Sequence, residues 1–309
     1  MSAKIITVVG ATGNQGEVVI NRLLQSPALK ELNIRALTRD SNSDKSKALR
    51  AKGAGRLEAV TADLNDKASL DVALAGSDYV FANLNSYLNM EGEVQQGKNV
   101  IDAAKQNNVS LFIWSTLPSV QKISMGRYVN VRHAENKSKI LDYLAQSGLT
   151  WVGASTSFFA DNLLWPRSVS IDDGSYVVSS GSLETTVRLP MTWLERDLGP
   201  FVTAVVEAHV KGDPSAPRDE NIVVAGFRTS LDEVAAELAR QTGKPARAIT
   251  GTGAMSIELQ EMFSCFNEFG NYEDKNVPSE YVEKNGIQHS TLQAFVRCAL
   301  VPALESRGQ

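Results

Sequence analysis

The first 24 residues constrain the fold more than any other stretch of the chain. Ile5, Ile6, Thr7, Val8 and Val9 form a short apolar run rich in β-branched side chains, the composition of a strand buried on both faces. It passes directly into Gly10-Ala11-Thr12-Gly13-Asn14-Gln15-Gly16, and then into Val18, Val19, Ile20, Leu23 and Leu24 at helical spacing. Strand, glycine turn and helix in that order aim backbone N–H groups and a helix N-terminus at a phosphate, with glycines so that the ligand can come close. A tight βα turn that binds nothing has the same outline. The position of this one, between a buried strand and an amphipathic helix, favours the phosphate. Gly10, Thr12, Gly13, Asn14, Gln15 and Gly16 are therefore candidate cofactor residues.

The alternation continues. Asn33 to Leu37 reads as a second strand, Ser43 to Lys52 as a helix capped by Ser43, Leu57 to Thr61 as a strand and Lys67 to Leu74 as a helix. Strands are expected at Asp78 to Ala82, Ser110 to Trp114 and Thr150 to Ala154, with helices at Met90 to Gln106 and Ala134 to Ser147. This spacing implies crossover connections and an α/β doubly wound parallel sheet. From Ser155 to Glu184 the chain is rich in Ser, Asp, Gly and aromatic residues and has no clean period. Leu198 to His209 and Leu231 to Gln241 read as helices, Ile222 to Ala225 as a strand, and Gly212 to Asp219 as a surface loop with Pro214 and Pro217. Met255 to Gln309 holds mostly helical runs, broken from Asn267 to Pro278. The expected organisation is a first domain over residues 1–154 and a smaller, mixed domain over 155–309. Segments between about 187 and 240 return to the first.

Composition removes several classes of function. With 43% hydrophobic residues in 309, the chain can fill a sizeable core. A net charge of -4 announces no direct nucleic-acid surface. Cys265 and Cys298 stand far apart, and His133, His209 and His289 lack ligand spacing, so neither a disulfide framework nor a metal site is indicated. No apolar run approaches the ~18 residues of a membrane span. Met1 to Lys4 leads straight into a strand, so no signal peptide is expected. Cytoplasm, or the nucleus, is the expected compartment.

An NAD site normally has an Asp or Glu at the end of the second strand for the ribose 2′-hydroxyl. Here the strand ends Thr38-Arg39, and the next carboxylate is Asp40. Arg39, Lys45, Lys47, Arg50, Lys52 and Arg56 outnumber Asp40 and Asp44. For Lys45 to Lys52 a solvated helix face is the simpler reading. Arg39 offers the planar, always-charged fork that a 2′-phosphate needs, which favours NADP over NAD. Asp63, after the third strand, is placed for the adenine amine or for capping the next helix. Asn83, after the fourth, lies where the chain passes the nicotinamide half.

These residues resemble a family. Gly10 to Gly16 followed by Leu37-Thr38-Arg39 is similar to the NmrA-like branch of the atypical short-chain dehydrogenase/reductase superfamily. So are Glu93-Val-Gln-Gln-Gly-Lys98, Phe112-Ile-Trp-Ser-Thr116, His133-Ala-Glu-Asn-Lys137, Phe158-Phe159-Ala-Asp-Asn162-Leu-Leu and Asp197-Leu-Gly199-Pro. The similarity runs to about Gly226. It implies a Rossmann domain with a small C-terminal domain, and a preference for NADP(H). Members include NADPH-dependent reductases and cofactor-sensing regulators without known turnover.

In a catalytic short-chain dehydrogenase a Tyr protonates the carbonyl oxygen, a Lys four residues later holds the nicotinamide ribose, and a Ser orients the substrate. The resemblance assigns Ser115 and Lys137 to the last two roles and puts His133 where the Tyr would stand. A spacing of four keeps His133 and Lys137 on one helix face. His is a general acid near neutral pH, though a neighbouring ammonium lowers its pKa. Tyr128 is a substitute donor. The simpler roles remain open: Ser115 in a turn, His133 in packing, Lys137 holding ribose without turnover. Phe158 is a candidate cofactor contact. Tyr87, Leu88, Phe159, Asn162, Trp165 and Trp193 would line an apolar pocket, or a seam between domains. The first reading is an NADPH-dependent reductase of a small, largely apolar carbonyl, enone or imine. The second is an NADP(H)-sensing regulatory protein that acts through a protein partner.

Overall fold

The structure is a computed structural model and describes residues 3–307. Its first half alternates β1 (Ile5–Val9), α1 (Asn14–Gln25), β2 (Asn33–Thr38), α2 (Asp44–Ala51), β3 (Leu57–Thr61), α3 (Lys67–Leu74) and β4 (Tyr79–Ala82). There follow α4 (Glu93–Gln106), β5 (Leu111–Thr116), α5 (Val120–Ile123), α6 (Arg132–Ala145) and β6 (Trp151–Thr156). The stretch that lacked a clean period forms β7 (Phe158–Phe159), β8 (Val169–Asp172) and β9 (Ser175–Val178), with β8 and β9 pairing as an antiparallel hairpin. Next come β10 (Leu189–Thr192), α7 (Leu198–Lys211), β11 (Glu220–Val224), β12 (Phe227–Thr229), α8 (Leu231–Thr242), β13 (Ala246–Ala248) and α9 (Ile257–Phe269).

Seven strands form one sheet in the order β11-β6-β5-β4-β1-β2-β3. The pairs from β6 through to β3 are parallel, as a Rossmann-type doubly wound sheet requires. The strand order turns back between β1 and β4, which makes their carboxyl ends the switch point where ligands lie in open α/β sheets. Central strands carry apolar residues on both faces, and Ile6, Val8, Val80, Phe81, Phe112 and Ile113 are all fully buried.

The chain divides into two compact units. The first comprises the chain up to Pro118, His133–Ser155 and Leu198–Ile222. The second comprises Ser119–Arg132, Thr156–Asp197 and the chain from Val223 onward. The segment that returns to the first unit is Leu198–Ile222. It holds α7, because Gly199 lets that helix lie close on α1: a methyl there would come 3.1 Å from the Val18 carbonyl oxygen. β10 stays in the second unit because it pairs with β7 and β12. α8 stays because Leu231, Val234 and Leu238 enter that unit's core. The loop from Ser119 joins the second unit through Asn130, whose N–H donates to Glu261 at 2.6 Å.

Helix α4 starts at Glu93 and not at Met90. The Asn89 side-chain oxygen accepts from the Gly92 N–H at 3.1 Å, which turns the chain first and leaves Gly92 as the cap. No helix among the described residues is long and apolar enough to cross a membrane.

Candidate functional site

The glycine turn is built on close approaches. Gly10 has φ +77°, and a methyl on it would lie 2.3 Å from the Asn83 carbonyl oxygen. Gly13 donates its N–H to the Gly10 carbonyl at 3.0 Å and caps α1, which has no side-chain cap. A methyl on Gly16 would stand 2.3 Å from the Gly10 oxygen and 2.7 Å from Ala11 Cα. The three glycines therefore bring β1, α1 and the exit of β4 together at the switch point. Thr12 is half-buried, and Gly13 and Asn14 are exposed. Gln15 is buried, and its Oε1 accepts from Ser115 Oγ at 2.6 Å. The Ser115 hydroxyl, 1% exposed, faces the turn.

At the end of β2, Thr38 stands in register with Thr61 and offers no carboxylate. The surrounding basic residues separate by what they touch. Lys52 pairs with Glu17 at 2.7 Å and Lys47 with Asp44 at 3.8 Å. Arg56 donates to the carbonyls of Leu24, Leu29 and Leu32. Arg39 is exposed and makes no ion pair among the described residues. Asp63 forms a turn in which its Oδ1 accepts from the N–H and the side chain of Asn65, and Asp66 caps α3.

Lys137 lies on α6 with 6% of its surface exposed. Its Nζ donates to the Leu84 carbonyl at 2.8 Å, Glu93 Oε1 at 3.1 Å and Asn83 Oδ1 at 3.3 Å. It also lies 5.1 Å from the centre of the Trp114 ring. An ammonium has three protons, and all three are committed. Burial lowers the Lys137 pKa, and the Glu93 carboxylate opposes the shift. Glu93 is a residue that sequence reasoning passed over. An acidic residue in a first helical turn reads as a complement to the helix dipole.

His133, one turn before Lys137, is half-buried and stacks on Tyr87 at 5.9 Å between ring centres, 29° from parallel. Tyr87 is 68% exposed. Tyr128 belongs to the second unit, where its hydroxyl donates to Glu268 at 2.8 Å. That bond raises its pKa and makes it a weaker acid.

The remaining aromatic candidates divide by burial. Trp193 is 5% exposed and packs edge-on against Phe295 at 5.5 Å. Phe158, at 9%, tilts against Phe263. Both belong to the core of the second unit. Phe159 and Asn162 are half-buried. Trp165 is exposed beneath the Arg167 guanidinium, 5.0 Å from its ring centre. The same unit holds a buried carboxyl, Asp197, which accepts from the Trp193 N–H at 2.7 Å and from the N–H and hydroxyl of Ser290 at 2.6 and 2.7 Å. Burial pushes its pKa up to about 6.

Comparison with known proteins agrees with this architecture. The chain is 28% identical over 311 residues to the NmrA-like family domain-containing oxidoreductase ptmS of Penicillium ochrochloron, covering 91% of this chain and 89% of the relative. The solved structure of NmrA, a negative transcriptional regulator in complex with NADP, superposes with a TM-score of 0.76 at 19% identity, covering 100% of this chain and 99% of that one. The NADPH-dependent quinone oxidoreductase QOR2 of Escherichia coli, complexed with NADPH, superposes with a TM-score of 0.71 at 22% identity, covering 94% and 98%. A sequence model of the NmrA-like family matches residues 2–296, and the chain belongs to that family.

Proposed function

We propose that this chain is an NADP(H)-dependent oxidoreductase that reduces a small, largely apolar carbonyl, enone or imine. The observation that carries the reading is a glycine turn at the switch point combined with an exposed arginine at the end of β2 that makes no ion pair among the described residues. Open N–H groups at the start of α1 suit a pyrophosphate. The Arg39 fork suits a 2′-phosphate, and Thr38 gives a 2′-hydroxyl no carboxylate. The oxidoreductase name of a relative aligned along 91% of the chain supports the reaction class, and the NADP and NADPH bound by two structures of the same fold support the cofactor.

When bound, NADPH supplies a hydride. His133 gives the accompanying proton to the substrate oxygen or nitrogen, because Tyr128 is held by Glu268 and its proton is harder to release. Ser115 acts at one remove: its hydroxyl fixes Gln15 and with it the turn. Tyr87, exposed and stacked on His133, is assigned to the substrate. Exposed or half-buried aromatic faces suit an apolar molecule.

Two observations favour the second reading, a non-catalytic NADP(H) sensor acting through a protein partner. The Lys137 ammonium is fully committed within the protein, and a His replaces the usual acid. The discriminating experiment follows NADPH oxidation at the nicotinamide absorbance against ketones, quinones, enones and imines. Turnover that disappears in His133→Phe supports the reductase. Tight NADP(H) binding without turnover on any of these substrates refutes it and leaves the sensor.

A further inference from the structure

We propose that Glu93 is a positioning residue for the nucleotide site: it anchors the Lys137 ammonium, which holds the Asn83–Leu84 exit of β4 beneath Gly10. The proposal rests on the reading of the glycine turn as the NADP(H) site.

Glu93 is 1% exposed and joins three segments. Its Oε1 accepts from Lys137 Nζ at 3.1 Å and from Ser86 Oγ at 2.8 Å, and its Oε2 accepts from Asn136 Nδ2 at 3.2 Å. Asn136 also donates to the Met90 carbonyl at 2.8 Å. One carboxylate thus ties the first turn of α4 to α6 and to the residues after β4. The backbone of Lys137 is fixed as well, since its carbonyl accepts from Trp114 Nε1 at 3.1 Å and Thr116 Oγ1 at 3.2 Å. The ammonium is therefore held between the ends of β4 and β5.

The link to the nucleotide runs through one peptide. The Asn83 carbonyl oxygen is the atom that a methyl on Gly10 would strike. Lys137 grips the same stretch through Asn83 Oδ1 and the Leu84 carbonyl. Where Asn83 sits decides how much room lies in front of Gly10. A buried ammonium without its counter-charge is costly and sheds its proton or shifts, and either change loosens that grip. Donation from Lys137 to a ribose hydroxyl would need a proton already used in one of these bonds. The structure therefore assigns Lys137 an indirect role and makes Glu93 its necessary partner.

The test uses the full chain and isothermal titration with NADPH, with thermal unfolding measured in parallel. Glu93→Gln keeps the shape and removes the charge. It is expected to weaken NADPH roughly ten-fold, the effect of losing one charged hydrogen bond. Lys137→Met is expected to weaken it at least as much, and the double variant no more than Lys137→Met alone, because the two residues act as one unit. Loss of affinity in Lys137→Met with wild-type affinity in Glu93→Gln would make Lys137 a direct ligand and overturn the proposal. Wild-type affinity in both, whatever the melting temperature, would reduce the pair to a structural one and also overturn it, as would effects that multiply in the double variant. If Lys137→Met leaves Glu93 unpaired and fails to fold, the comparison of Glu93→Gln with wild type decides alone. A wild-type protein that binds no NADPH would instead refute the reading of the turn, and the proposal with it.

Discussion

Replacing Gly10 by Ala tests the geometry of the turn directly. Two effects add at this position. The backbone has φ +77°, where an L-residue is strained by about 1–2 kcal/mol. The added methyl would also lie 2.3 Å from the Asn83 oxygen and 3.4 Å from its carbonyl carbon. Both atoms are backbone, on a segment held by Lys137, so neither can rotate away. Overpacking of this kind costs about 1–3 kcal/mol. The total is about 2–5 kcal/mol. Gly76→Ala is the matched control in the same unit: its φ is +72°, and nothing lies within 4 Å of the new methyl. It carries the strain alone, and both variants share the small gain from a stiffer unfolded chain. Urea unfolding followed by circular dichroism and tryptophan fluorescence should therefore separate the two by about 1–3 kcal/mol, and NADPH binding should be lost only in Gly10→Ala. Equal destabilisation would refute the claim that the first glycine is required by contact with the end of β4.

Three further outcomes follow from the site. Arg39→Ala should weaken NADPH by about ten-fold or more while leaving NADH within about two-fold, since only the former has a 2′-phosphate for the guanidinium; equal losses in titrations with both nucleotides would remove that role. His133→Phe keeps a ring to stack on Tyr87 but removes the proton, so kcat should fall by about 10²–10⁴ with unchanged NADPH affinity, and a kcat near wild type would exclude His133 as the acid. Asp197 titrates near about 6 when folded against an ordinary 3.8, so between those values the folded chain holds a proton that the unfolded chain has released. Its contribution is full below about pH 4 and lost as pH rises through about 6, a change of up to about 3 kcal/mol. Asp197→Asn should remove that falling slope when urea midpoints are compared from pH 4 to 7, and identical slopes would show that burial does not govern this carboxyl.

What could be read from the chain depended on the range of the interactions involved. β1 and β3 lie where their β-branched runs and flanking turn residues put them, because these signals are local. α2 is capped by Ser43, whose hydroxyl accepts from the Ser46 N–H. The start of α4 was displaced by a side-chain bond from Asn89, which propensity does not register. The buried pair was out of reach because Glu93 and Lys137 are 44 residues apart, and neither shows its partner in its own surroundings. Tyr128 is an equally plain case, with its carboxylate partner 140 residues away. Trp193 and Trp165 are indistinguishable as letters, yet one fills the core of the second unit and the other is half exposed. Burial, which separates a wall residue from a core residue, is decided by the whole fold.

The division into units has a consequence for how the molecule is made. The chain passes between them after Pro118, Arg132, Ser155, Asp197 and Ile222. No uninterrupted stretch of sequence is therefore either unit, and neither can be cut out or exchanged as one cassette. During synthesis the seven-stranded sheet cannot gain its outer strand β11, nor α1 its partner α7, until residues past 220 have left the ribosome. By then much of the second unit has already emerged. The first unit can still be completed before the second, which awaits the chain from Val223 onward, but only with Ser119–Arg132 and Thr156–Asp197 already emerged beside it.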